Sequence, residues 1–203
     1  MSKGTLFVLC GPSGVGKGTV CNALLEKNPN IKLSISATSR DKRKGEVEGV
    51  NYYFVERMRF EDMIANGEFL EHAEVYGNLY GTPKIHVVEE LNKGRDVILE
   101  IDPQGAMQVK DKFKDGVFIF ILPPSLSELR NRIVSRGRES MDIIESRLKS
   151  ASAEMEYINK YDYYIINDNI DEAVRKLQCI IETERYKVPK NLETINEMFK
   201  EEV

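Results

Sequence analysis

Phe7-Val8-Leu9-Cys10-Gly11-Pro12-Ser13-Gly14-Val15-Gly16-Lys17-Gly18-Thr19 joins an apolar strand to a glycine-rich loop and then to a helix, and this junction decides the fold. Thr5 to Cys10 reads as a short buried strand, and Val20, Leu24 and Leu25 give the segment Lys17 to Lys27 the inner face of a helix. Gly11, Gly14 and Gly16 permit a tight curl that closes backbone amides around phosphate oxygens, with Pro12, Ser13, Val15, Gly18 and Thr19 completing the cradle. The helix turns its positive end toward the anion, and Lys17 carries charge to the outer phosphates. Gly11, Gly16 and Lys17 satisfy G-x-x-x-x-G-K, but Gly18 occupies the place where Ser or Thr holds magnesium, and Thr19 follows it. A glycine-rich loop alone is often only a turn; the strand before it and the helix after it favour phosphate binding.

Working outward, strand-like runs recur at Ile31 to Ala37, Asp96 to Ile101, Val117 to Leu122 and Tyr163 to Ile166. Helical patterns separate them. Lys84 to Lys93 sets Ile85, Val88 and Leu91 at helical spacing before Gly94, and Ser125 to Ser135 begins behind Pro123-Pro124. A long run spans Met141 to Ile158, and Ile170 to Tyr186 places Ile170, Ala173, Val174, Leu177, Ile180 and Ile181 on one side. This alternation predicts an α/β fold with a mostly parallel sheet flanked by helices. Between Asn51 and Gly81 the alternation breaks. Asn51 to Val55 and Phe69 to Tyr76 read as strands, Phe60 to Ala65 as a short helix and Gly77-Asn78 as a turn, which together predict a small antiparallel insertion. The polar loop Arg136-Gly137-Arg138-Glu139-Ser140 reads as part of a mobile lid. The expected division is a core of 1–33, 84–124 and 150–186, an insertion of 34–83, a lid of 125–149 and a tail of 187–203 carrying one loosely docked helix.

The 203 residues, 41% hydrophobic and 31% charged, describe an ordinary globular chain. No apolar run approaches the roughly twenty residues that span a bilayer, and Met1-Ser2-Lys3-Gly4 leads into a strand rather than a signal peptide, so a cytoplasmic location is expected. Cys10, Cys21 and Cys179 form no C-x-x-C pair and read as small buried side chains, not as a disulfide framework or a zinc site. A net charge of −4 and a pI near 5.5 argue against a nucleic-acid surface. Five of the twelve arginines nevertheless fall between Arg130 and Arg147, and Arg40, Lys42, Arg43 and Lys44 share one polar loop, marking two further places for phosphate. His72 and His86 have no nucleophile or metal-ligand spacing and read as local structure.

The series Gly-Pro-Ser-Gly-Val-Gly-Lys-Gly-Thr, then Ser36-Ala37-Thr38-Ser39-Arg40 with Arg43, Gly45, Glu46 and Asn51-Tyr52-Tyr53-Phe54, then Tyr80-Gly81-Thr82 and Glu100-Ile101-Asp102-Pro103-Gln104-Gly105, resembles a bacterial guanylate kinase from about Gly4 to Tyr186. The resemblance implies a P-loop kinase core that transfers the terminal phosphate of ATP to GMP, with the insertion holding GMP. It implies Ser36, Arg40, Arg43, Tyr52 and Tyr80 around the GMP phosphate, and Glu71, Thr82 and Glu100 toward the guanine. It implies further that Lys17, Arg132, Arg136 and Arg147 stabilise the transferred group, that Arg138 is a lesser candidate, and that Asp102 orients Mg2+ and its waters. ATP and GMP, with dGMP admitted, are the implied partners; nucleic acid and membrane are not, and self-association is left open.

The residue types suit these roles. Guanine offers N1–H and an exocyclic amine that ionised carboxylates accept, whereas adenine would leave a desolvated carboxylate unpaired. Arginine forks match a phosphate dianion, and phenols donate without adding charge. Taken alone, Glu71 reads as a surface strand residue and Tyr52 and Tyr80 as packing. Two alternatives stay open at this level: a kinase for another small acceptor on the same core, and a catalytically inactive protein-interaction module of the same shape. A regulatory GTPase is disfavoured, since no Asn-Lys-x-Asp reader occurs; Ile166-Asn167-Asp168 is a candidate contact for the ATP base or ribose.

Overall fold

The computed structural model describes residues 3–75, 77–135 and 141–200, with the backbone alone at 141–143. In chain order the elements are β1 (Leu6–Cys10), α1 (Lys17–Lys27), β2 (Lys32–Leu33), β3 (Ala37–Thr38), β4 (Tyr53–Phe54), α2 (Arg57–Ala65), β5 (Phe69–Val75), β6 (Asn78–Pro83) and α3 (Lys84–Asn92). There follow β7 (Val97–Glu100), α4 (Pro103–Lys112), β8 (Val117–Leu122), α5 (Leu126–Ser135), α6 (Met141–Met155), a 3₁₀ turn at Glu156–Lys160, β9 (Tyr163–Ile166), α7 (Ile170–Arg185) and α8 (Val188–Met198).

β1 is buried at every position and takes the centre of a five-stranded parallel sheet ordered β2-β7-β1-β8-β9. A parallel sheet covered on both faces demands continuous apolar strands, which is why β1 and β8 read that way in sequence. Phe7 and Leu9 pack with Val20 and Leu24 of α1 and with Val174 and Leu177 of α7. Leu6, Val8 and Cys10 face the opposite way, among Leu91 of α3 and Ala106 and Val109 of α4. The carboxyl ends of β1 and β7 therefore open onto one edge, where the glycine-rich loop leaves the sheet.

The insertion forms its own four-stranded sheet, ordered β4-β3-β6-β5. It is antiparallel across β3, β6 and β5, as the sequence predicts, while β4 joins β3 in parallel. Its separate core is Ala37, Phe60, Phe69 and Leu79, with Phe60 and Phe69 stacked at 4.4 Å.

Several expectations are corrected here. Ile31 to Ala37 is not one strand: Lys32 and Leu33 pair with Val97 and Ile98 in the core sheet, whereas Ala37 pairs with Tyr53 and Gly81 in the second. Both sheets impose the same two-residue alternation, so the pattern does not mark the crossing. α4 was not expected from periodicity, although Asp102 as N-cap and Pro103 in the first turn are a start signal. On α3 the buried positions are Val87 and Leu91, and Ile85 is 61% exposed. Ile170 and Cys179 are likewise exposed, while Cys10 and Cys21 are buried, and these three thiols are free. The tail does form a helix, α8, with no buried residue. α5 and α6 pack through Leu129, Ile133, Ile144 and Ala151. The loop Arg136 to Ser140, expected to be the mobile part of a lid, lies outside the described residues. Among those described, no helix is long and apolar enough to cross a membrane.

Candidate active site

The glycine-rich loop is fixed from two sides. Gly16, the N-cap of α1, has φ 94°, and a β-carbon there would stand 2.7 Å from Asn167 Nδ2, so position 16 requires glycine for both conformation and space. Asn167 Nδ2 donates to the Val15 carbonyl at 2.8 Å, and Arg132 Nη1 donates to the Asn167 carbonyl at 2.9 Å and to the Val15 carbonyl at 3.5 Å. Lys17 folds across the loop and donates from Nζ to the Gly11 carbonyl at 2.5 Å. On the outer side lies a cleft of about 310 Å³ lined by Gly14, Gly16, Thr19, Arg132, Asn167 and Asp168. Asn167 is only 4% exposed, and its Oδ1 has no partner among the described residues.

Toward the insertion a second cleft, of about 370 Å³, is lined by Lys17, Ser36, Tyr52, Glu71, Tyr80, Glu100 and Asp102 among others. Ser36 sits at the crossing between the two sheets, where its carbonyl accepts from the Tyr53 amide at 2.9 Å. Glu71, 7% exposed on β5, accepts from Thr82 Oγ1 of β6 at 2.6 Å. Burial pushes its carboxyl up to about 7, the Asp102 charge adds to the rise, and the Thr82 hydroxyl opposes it.

The two acids at the end of β7 part company. Asp102 has left the strand: its Oδ1 accepts from the Gly105 amide at 2.8 Å, capping α4. A β-carbon on Gly105 would stand 2.9 Å from Glu71 Oε2, so the start of α4 packs directly against Glu71. Glu100 points instead to the glycine-rich loop, with both carboxylate oxygens 3.4 Å from where a Gly18 β-carbon would lie. Desolvation raises its carboxyl and the Lys17 charge draws it back down.

The remaining sequence-predicted residues distribute unevenly. Tyr52 and Tyr80 meet edge to face at 5.9 Å, and Arg40 lies over the Tyr52 ring at 5.5 Å, which ties it to the insertion cleft. Arg43 is exposed and donates its backbone amide to Glu46 Oε2 at 2.8 Å. Arg132 stands at the outer cleft, Arg147 is half-buried on α6, and Arg136 lies outside the described residues. Sequence reasoning missed Glu154 of α6, whose carboxylate faces the Ser13 amide and Lys17 and is raised by burial. A lone acid on a helix carries no local signal of such a position. Glu46 was noticed only as part of a motif.

Residues 3–184 match the family model for guanylate kinase. The guanylate kinase of Clostridium tetani is 53% identical over 195 residues, covering 96% of this chain and 93% of that protein. That of Clostridioides difficile is 52% identical over 203 residues, covering 100% and 99%. The chain belongs to the guanylate kinase family. The crystal structure of guanylate kinase from Anaplasma phagocytophilum shares 40% identity and a TM-score of 0.77 across 97% of this chain and 95% of that one. Both sheets are thus part of a guanylate kinase architecture, and α8 begins beyond the span of the family model.

Proposed function

We propose that the two clefts beside the glycine-rich loop hold the two substrates, ATP on the loop itself and GMP against the insertion. The reaction is that of the family: the terminal phosphate of ATP passes to GMP, giving ADP and GDP. The observation that carries this allocation is the shared wall. Lys17 lines the cleft that also holds Ser36, Tyr52, Tyr80 and Glu71, so an acceptor phosphate seated there lies against the donor loop. Phosphoryl transfer asks for in-line alignment, neutralised charge and exclusion of water, and it needs no covalent enzyme intermediate. The GMP phosphate is already anionic near neutral pH, so no strong general base is required.

Within this site the geometry favours exchanging two roles implied by the family resemblance. Asp102, packed beside Glu71 at the start of α4, joins Glu71 and Thr82 at the guanine edge. Glu100, beside Gly18 and Lys17, takes the side of the phosphates. The Glu100 carboxylate together with substrate phosphate oxygens would form an all-oxygen set that suits Mg2+, while Thr19 lines the outer cleft. When bound, the ion would supply charge neutralisation at the phosphates, held from the protein side by Glu100, and Asp102 would add negative charge from the guanine side. The outer cleft, lined by Asn167 and Asp168, is the place left for the adenine. Residues 34–83 act as the acceptor-binding unit and 125–149 as the lid whose arginines, Arg132, Arg136 and Arg147, close on the transferred group, in the cytoplasm where both nucleotides circulate.

The test is a coupled ADP-release assay with Mg2+ and ATP, offering GMP, dGMP, AMP, CMP, UMP and dTMP separately and omitting acceptor in one sample. ADP formation selective for GMP, with dGMP second, is expected. Equal turnover with AMP, or ADP release without acceptor, overturns the allocation.

A further inference from the structure

The loop between β3 and β4 carries Arg40, Lys42, Arg43 and Lys44, and its conformation is organised by one carboxylate. Glu46 Oε1 accepts from Arg40 Nη2 at 2.8 Å, and Oε2 accepts from Arg40 Nη1 at 3.1 Å and from the Arg43 amide at 2.8 Å. Arg40 Nη1 also donates to the Asp41 carbonyl at 2.7 Å. Both side chains of the pair are largely shielded, 11% exposed for Arg40 and 19% for Glu46, and the guanidinium lies against the neighbouring rings of Tyr52 at 5.5 Å and Phe54 at 5.9 Å.

A guanidinium carries five N–H donors. Glu46 engages the Nη1/Nη2 end, and Asp41 takes the second Nη1 hydrogen. The bonds to Glu46 and Asp41 leave the Nε–H and one Nη2–H, side by side on the other edge, for further partners, of which the Tyr80 hydroxyl is one; such a pair is the arrangement that meets two oxygens of a phosphate. That edge shares its surroundings with the Tyr80 hydroxyl, which interacts with Arg40, and with Tyr52. Glu46 does not compete for the donors a phosphate needs; it removes the rotational choice of the guanidinium and aims what remains.

We infer that Glu46 is a positioning residue for the acceptor phosphate, acting through Arg40 and through the backbone at Arg43. The inference rests on the allocation of GMP to the insertion cleft. It differs from a general structural role in one respect: it concerns the phosphate alone and not the base.

The experiment uses the full chain with Glu46→Gln, which keeps the size of the side chain and one acceptor oxygen but sets an NH2 against the arginine fork. KM for GMP, KM for ATP and kcat are measured, together with the inhibition constant of guanosine, which carries the base without the phosphate. The expected result is a KM for GMP raised about tenfold, with guanosine inhibition, KM for ATP and kcat each within about twofold of the parent and Glu46→Asp partly restoring GMP. In an Arg40→Lys background, which lacks the fork, Glu46→Gln is expected to add little. Equal weakening of GMP and guanosine, full additivity with Arg40→Lys, or an unchanged KM for GMP each overturns the inference. Should Glu46→Gln fail to fold, as read by circular dichroism, the Glu46→Asp chain carries the same comparison of GMP with guanosine. A parent chain that turns over without requiring GMP refutes the site allocation instead, and so separates the two failures.

Discussion

The glycine-rich loop and the insertion, to which we assign the donor and the acceptor nucleotide, are built by different means. The glycine-rich loop uses backbone: its geometry comes from Gly16 at φ 94°, from carbonyls tied to Asn167 and Arg132, and from one charge, Lys17, folded onto the Gly11 carbonyl. The insertion uses side chains brought from β5, from β6 and from the segment between Ser36 and Tyr52, with Glu71 buried against Thr82 and Arg40 clamped by Glu46. A site of backbone amides is specified by thirteen consecutive residues, Phe7 to Thr19, whereas the side-chain site spans Ser36 to Asp102. Under the proposed allocation the backbone grip reads only phosphate, and the side-chain site discriminates, because a buried carboxylate without its donors is costly.

That contrast can be broken most forcefully at Lys17. Lys17→Ala is expected to lower kcat by roughly 10²–10³-fold while GMP binding by calorimetry stays within about twofold, and normal turnover would remove Lys17 from the donor site. The next effect belongs to Glu71: Glu71→Gln is expected to raise KM for GMP about thirtyfold and to leave KM for ATP unchanged. The pH dependence follows from burial, which holds this carboxyl at about 7 instead of 4.5. The charged form accepts the guanine donors, so the parent's GMP affinity should strengthen between pH 6 and 8, and the Gln variant should lose that part of the slope. In the unliganded chain the sign reverses. Because the folded-state pKa is raised, the ionised carboxyl penalises folding above about 7 and the penalty fades as pH falls toward 4.5. Glu71→Gln should therefore raise the thermal midpoint at pH 8 but not at pH 5.

A smaller effect sharpens the comparison at the end of β7. Glu100→Gln is expected to raise the Mg2+ concentration for half-maximal turnover about tenfold with little change in KM for GMP, and Asp102→Asn to do the converse. Identical responses in the two variants would return both acids to one role. Smallest is Thr82→Val, which removes the 2.6 Å donor to Glu71. It should raise KM for GMP about fivefold and push the inflection of the pH profile above that of the parent chain.

Much of the core was legible because its signals are local. The parallel strands Leu6–Cys10 and Val117–Leu122 announce themselves as unbroken apolar runs, and α1 and α7 by their spacing, all consequences of burial on two faces or one. What escaped was decided by long-range contacts. Ile31 to Ala37 keeps one alternation while the chain passes between two sheets, and Ile85 fits a helical stripe that α3 turns to solvent. The acceptor residues were named through family resemblance, since in sequence Glu71 is one acid on a strand and Tyr52 one aromatic among several.

The sequence by itself determined the phosphate loop, the parallel core and the existence of an insertion, because backbone conformation and one-sided burial act over a few neighbouring residues. Only the tertiary structure decided that Glu100 faces Gly18 while Asp102, two residues on, caps α4 beside Glu71, and that Glu46 spends one end of Arg40 and leaves the other. Those outcomes depend on which element arrives opposite each side chain, and the arrival is set by the packing of two sheets against their helices, which no short stretch of chain encodes.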